Sequence, residues 1–153
     1  MQGHKRTSYN GLTGERRKLL AEAERATSTA YAPYSKFRVG AAILTQSGKI
    51  ITGSNVENAA YGSTICAERA AILRANAMGY RSFEAIAVIA KGDAPIKQPT
   101  APCGACRQML YELSSSAGKR LEIIFSNSDK SKIVITTIAA LLPFGFGPSN
   151  LTE

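Results

Sequence analysis

No apolar run in the 153-residue chain approaches the ~20 residues that a membrane-spanning helix needs. The longest, residues 85–90 (Ala-Ile-Ala-Val-Ile-Ala), fits a buried strand. The first residues, Met1 to Arg6, lead into no apolar core, which argues against a secretory signal and makes the cytoplasm the expected location. Internal repeats, low-complexity tracts and linkers are missing, so one domain is expected. Acidic residues are scarce: 11 Asp and Glu face 19 Lys and Arg, for a net charge of +8. Such an excess invites a nucleic-acid partner. The charge is scattered, however, with no dense basic stripe interleaved with aromatics, and a solvated basic surface is the better reading. A composition of 44% apolar and 20% charged residues is that of a globular chain and excludes disorder and coiled coil.

Histidine and cysteine are few. His4 stands alone, in an N-terminal stretch that reads as a loose basic tail over residues 1–12. The cysteines are Cys66, Cys103 and Cys106, an odd number and a poor disulfide framework. Cys103-Gly104-Ala105-Cys106 is a C-x-x-C, which by itself is ambiguous between redox chemistry, zinc binding and chance.

The remaining pattern alternates helices and strands. Thr13 is placed to cap a helix over residues 14–30, with Leu19, Ala23, Ala26 and Ala30 on one face. Ala32-Pro33-Tyr34-Ser35 breaks it. Strands are expected at 39–44 and 49–56 around a Gln46-Ser47-Gly48 turn, then at 83–90, 121–125 and 132–136. Helices are expected at 66–78 and 104–116, with a short last one through Ala139, Ala140 and Leu141. This order predicts an α/β fold with a mixed five-stranded sheet and helices on both faces.

Both cysteine segments stand at helix starts, where unpaired N–H groups and partial positive charge favour thiolate, the form that binds zinc. Three thiols converging on one ion leave a tetrahedral position for water, whose pKa zinc brings down to about 7. Glu68, two residues after Cys66, is placed to move protons near that water, although a Glu in a first helical turn also serves the helix dipole. Arg69 and Arg107 each adjoin the cysteine segments and are candidates for N–H···S contacts that withdraw charge from the thiolates, with Gln108 helping.

Cys66-Ala67-Glu68 followed by Pro102-Cys103-Gly104-Ala105-Cys106 follows the deaminase signature H-x-E and P-C-x-x-C, with its non-ligand Glu, except that cysteine replaces the histidine. Residues 32–42 (Ala-Pro-Tyr-Ser-Lys-Phe-Arg-Val-Gly-Ala-Ala), 55–61 (Asn-Val-Glu-Asn-Ala-Ala-Tyr), Leu141-Leu142-Pro143 and Phe146-Gly147-Pro148 extend the likeness. Over residues 31–151 the chain resembles the small zinc-dependent cytidine deaminases that act on free nucleosides. The resemblance implies a three-layer α/β/α domain over residues 13–153 and one zinc per chain on Cys66, Cys103 and Cys106. It implies that Glu68 shuttles protons, that Asn55 and Glu57 hydrogen-bond the ribose hydroxyls, that Phe37 lines the base pocket and that the Ala67 N–H meets the pyrimidine oxygen. Ala59 and Tyr61 would reach into a neighbouring subunit's site, and Phe146 would stack on the base across an interface of a homotetramer. The implied reaction is hydrolytic deamination of cytidine and 2′-deoxycytidine to the uridines and ammonia, in pyrimidine salvage, with no membrane or nucleic-acid partner. The alternatives are deamination of a related cytosine-containing compound or of cytosine in a polynucleotide, and a structural zinc module.

Overall fold

The computed structural model describes residues 3–152; Met1, Gln2 and Glu153 lie outside the described residues. Six strands form one sheet among them: β1 (Lys5–Thr7), β2 (Arg38–Thr45), β3 (Ile50–Ser54), β4 (Phe83–Lys91), β5 (Glu122–Ser126) and β6 (Ile133–Thr137). The order is β1-β6-β5-β4-β2-β3. Only β4 and β5 pair in parallel, joined through α3 (Gly104–Ser116). The other neighbours are antiparallel, so the sheet is mixed as expected.

The sheet has six strands rather than five because the segment read as a tail supplies the edge. Lys5, Arg6 and Thr7 face Ile135, Val134 and Ile133 across the ladder, and the Thr136 hydroxyl donates to Gly3 O at 2.7 Å. Backbone groups on the rim of β6 would otherwise face water, and they take whichever chain lies beside them.

Side chains alternate along the central strands and build two apolar clusters. Ala41, Ile43, Ile86, Val88 and Ile123 pack with α2 (Ala67–Ala77), α3 and Ile138 of α4 (Ile138–Leu141). Ala42, Leu44, Ala87, Ile89 and Ile124 pack with Leu19, Leu20 and Ala23 of α1 (Gly14–Ala26). Thr13 caps α1 as expected, its hydroxyl accepting from Arg16 N at 3.3 Å. The helix stops at Ala26 instead of residue 30, and Ala30 lies outside it. Thr27, Ser28 and Thr29 turn their hydroxyls back onto the carbonyls of Glu24, Arg25 and Ala26, a competing bond that closes the last turn.

Two glycines let helices touch the sheet. A Cβ on Gly40 would lie 1.9 Å from Ala23 O, and one on Gly53 would lie 2.3 Å from Ala71 N. The second contact seats α2 directly on β3 and thereby fixes the height of its first turn above the sheet edge. Strand β3 ends at Ser54, short of the expected residue 56, and Val56 instead makes single bridges to Tyr31 and Ile65. No helix among the described residues is long and apolar enough to cross a membrane.

Candidate metal centre and nucleoside site

Helices α2 and α3 both begin on a cysteine. Cys66 and Cys103 occupy the N-cap positions, and Cys106 sits one turn into α3. The three sulfurs lie within 4.8 Å of one another, and Cys66 Sγ is 3.7 Å from Cys103 Sγ. A tetrahedral ion with Zn–S bonds near 2.3 Å holds its sulfurs about 3.8 Å apart, so the spacing fits zinc. Among the described residues the cluster comprises these thiols alone: neither Glu68 nor His4 joins it. Cys106 is buried, Cys66 half-buried and Cys103 exposed, which leaves the trio open on one side.

The electrostatics separate the thiols. The neighbouring Cys106 thiol, and then the Arg69 guanidinium, bring Cys66 down to about 5 against the opposing effect of burial. Cys106, facing the Cys66 thiolate and buried beside it, is pushed up. Arg69 Nη2 lies 3.8 Å from Cys66 Sγ and donates to Thr64 O at 3.1 Å, as the expected N–H···S contact requires. Its Nε is buried and, among the described residues, without a partner. Arg107 behaves differently from the expectation. It donates from Nε to Pro102 O at 2.8 Å and from Nη1 to Leu141 O at 3.0 Å, so it ties α3 to the loop before it and to α4 instead of facing sulfur. Gln108 likewise turns to the C-terminal segment, donating to Phe146 O at 2.8 Å.

Glu68 is 4% exposed, which sets it apart from an ordinary dipole-compensating Glu on a solvated helix face. Burial pushes its carboxyl up to about 7, with the Cys66 charge adding to the rise and its own backbone N–H opposing it. A carboxyl held near neutrality can both take and give a proton. Ala67, beside it, is fully buried and occupies the first position of α2, where a backbone N–H has no intrahelical acceptor.

A second group of residues is tied to Cys66 through the backbone. Val56 and Ile65 exchange N–H···O bonds of 2.9 and 3.0 Å, which places residues 55–57 beside the chain entering α2. Asn55 is buried and uses both ends of its amide locally: Oδ1 accepts from Val39 N at 2.8 Å and Nδ2 donates to Phe37 O at 2.8 Å. Glu57 accepts from the Ser35 hydroxyl, from Tyr34 N at 2.9 Å and from Ser35 N at 3.2 Å. The Ser35 hydroxyl bond, ahead of the two backbone bonds, holds the Glu57 carboxyl below its usual range. Ser35 also accepts from Phe37 N at 3.0 Å, and Lys36 between them adopts the left-handed conformation (φ 58°). Sequence reasoning missed Ser35, whose signal was a hydroxyl in a turn two residues before a bonded N–H.

The aromatic candidates stand outward. Phe37 is 38% exposed, Phe146 57% and Tyr61 78%, with the Tyr61 ring edge-on to Tyr34 at 6.3 Å. Ala59 lies on the exposed loop before Tyr61. Two concavities of about 750 and 880 Å³ flank the N-terminal strand, where His4 lines both, and neither is lined by a cysteine. On the single chain the thiol site is a shelf open to solvent at Cys103.

Residues 13–118 match the family profile described as the cytidine and deoxycytidylate deaminase zinc-binding region. The chain is 44% identical to a cytidine deaminase of Sporosarcina psychrophila over 88% of its own length and 93% of the relative's. It is 41% identical to one from Halalkalibacterium halodurans, covering 91% of this chain and 99% of that one. Among solved structures, the cytidine deaminase of Burkholderia pseudomallei superposes with a TM-score of 0.76 at 43% identity, covering 88% of this chain and all of that one.

Proposed function

Because the chain belongs to the zinc-dependent cytidine deaminase family, we propose that its thiol shelf and buried Glu68 deaminate free cytidine and 2′-deoxycytidine hydrolytically. The observation that carries the reading is the three-sulfur cluster with a buried carboxyl two residues from its first member. Cys66, Cys103 and Cys106 hold the zinc. When bound, the metal supplies Lewis acidity that makes a water nucleophilic at neutral pH.

This chain's own groups do the rest. Glu68 takes a proton from the attacking water at a carboxylate oxygen and delivers it to N3 of the base, which makes C4 more electrophilic. It then carries the second proton from the new C4 hydroxyl to the exocyclic amine, which departs as ammonia and leaves the uridine. Burial supports both transfers, since a carboxyl poised at about 7 gives up and regains a proton with little driving force lost. The Ala67 N–H, unpaired in its helix, is the donor for the pyrimidine oxygen. Phe37 lines the base. Asn55 and Glu57 serve the ribose hydroxyls through the donor and acceptor capacity left after their bonds to residues 34–39. A polar set matched to the ribose in this way disfavours a substrate lacking the matching hydroxyls.

The unit that performs this chemistry is a three-layer α/β/α domain whose sheet takes its edge strand, Lys5–Thr7, from the segment read as a tail. It works as a homotetramer in the cytoplasm, in the salvage of pyrimidine nucleosides. Support for shared sites comes from exposure: Tyr61 and Phe146 stand out from the single chain, and Cys103 is open to solvent. In the tetramer Ala59 and Tyr61 reach a neighbour's site and Phe146 covers the base. The test is the absorbance change of cytidine turning to uridine, with and without a zinc chelator. Turnover that stops with chelation and returns with zinc is the expected result, and zinc-independent turnover or none at all refutes the reading.

A further inference from the structure

Helix α3 carries more than two of the thiols. Gln108, Tyr111 and Ser115 are spaced three and four residues apart and share one face of it. The segment Gly145-Phe146-Gly147 lies against that face. Gln108 Nε2 donates to the Phe146 carbonyl at 2.8 Å. The Tyr111 ring occupies the space on both sides of Phe146: a Cβ on Gly145 would stand 2.8 Å from it, and one on Gly147 would stand 2.7 Å away. Real side chains essentially never approach so closely, so glycine is required at both positions for the ring to seat. The segment is closed behind by Asn150, whose Oδ1 accepts from Gly147 N at 2.8 Å while its own N–H donates to Gly147 O at 2.9 Å. Ahead of it, Phe144 takes the left-handed conformation (φ 55°). The backbone of Phe146 is thus held, while its ring stays 57% exposed.

We propose that Gln108 and Tyr111 are positioning residues that clamp the Phe146 backbone onto α3 and so fix where its ring meets the cytosine of substrate bound to a second copy of the chain. The proposal rests on the reading of Phe146 given above. A free loop would have to order itself each time a base binds, and that cost would appear as weaker binding. A clamped loop has been ordered by folding. One rigid helix then serves two sites, its first turn holding thiols of its own copy and its next two turns presenting an aromatic to the neighbour.

The zinc-loaded enzyme tests this by steady-state kinetics on cytidine together with hydrogen exchange over residues 144–151. Tyr111→Ala is expected to speed exchange in that segment and to raise KM roughly two- to tenfold, the worth of one aromatic stacking contact, with kcat within about twofold and zinc content unchanged. Gln108→Ala moves both readouts the same way. Tyr111→Phe, which keeps the ring, restores native KM. Gly145→Ala, which displaces the ring from the other side, raises KM and covers the case in which Tyr111→Ala fails to fold. On a Phe146→Ala background the Tyr111 effect on KM disappears. Unchanged exchange in Tyr111→Ala and Gly145→Ala overturns the clamp. Faster exchange with native KM overturns its service to substrate. A Phe146→Ala enzyme with native KM overturns the underlying reading of Phe146, and the proposal with it.

Discussion

Helix α2 starts at Cys66 and helix α3 at Cys103, and at each start a thiol stands where α1 has the capping hydroxyl of Thr13. Thr13 bonds its helix; among the described residues neither sulfur does. The two thiol-led turns give up a cap, worth about 1 kcal/mol each, and keep their sulfurs free for a metal. Beyond that they differ. The first turn of α2 buries Glu68 and aims Arg69 at Cys66, so it brings both a buried carboxyl and a positive charge to the sulfurs. The first turn of α3 has no acid, and its Arg107 reaches two backbone carbonyls. One helix start brings charged groups to the sulfurs, and the other ties its helix to the surrounding backbone. A metal site built from two secondary elements can divide these tasks because each element is positioned by its own packing.

The division can be broken most severely at Glu68. Glu68→Gln is expected to lower kcat by about 10²–10⁴-fold while the protein keeps one zinc per chain, read by turnover alongside metal analysis. Near-native turnover would remove the proton-carrying role. A smaller effect is expected from the two arginines, and here they should part company. Arg69→Gln should reduce turnover about 10- to 100-fold with zinc retained, because the charge beside Cys66 is gone. Arg107→Gln should keep turnover per bound zinc and lower Tm instead, by about 2–4 °C for each kcal/mol of lost bonding in a chain of this size. Equal losses of turnover in both variants would erase the contrast between the helix starts.

The mildest effect belongs to a carboxylate remote from both helix starts. Burial alone would raise Glu24, but ion pairs to Lys130 and Lys91 outweigh it and hold its carboxyl below 4.5. A lowered carboxyl stabilises the fold above its unfolded value and loses that contribution as pH falls through the folded value. The Tm advantage of the native chain over Glu24→Gln is therefore expected at pH 6 and should shrink steadily below pH 4.5, while kcat at neutral pH stays the same. A gap that widened on acidification would reverse the sign of this argument.

The places where the sequence was legible share a local cause. A capping hydroxyl at Thr13, the helix starts at Cys66 and Cys103 and the turn at Gly48 are each written within a few adjacent residues, and the structure has them there. The strand at Lys5–Thr7 was not legible, because three polar residues carry no alternation and pair only on account of the open rim of β6. Arg107 was misread for a related reason: standing next to Cys106 in sequence, it points about 100° away around the helix and finds other partners. Ser35 and Tyr111 escaped notice because their partners, Glu57 and the glycines at 145 and 147, lie far along the chain.

By itself, then, the order of residues determined which groups can do chemistry: three thiols at two helix starts, a carboxyl two places from one of them, and a family pattern around both. Bringing Cys66 to 3.7 Å from Cys103, closing water off from Glu68 and steering Arg69 toward sulfur and Arg107 away were decided only by the packed fold. Spacing along a helix is set by bonds to near neighbours. The distance between two helices, and the burial of a charge between them, are set by side chains and glycines on a sheet that the local sequence does not contain.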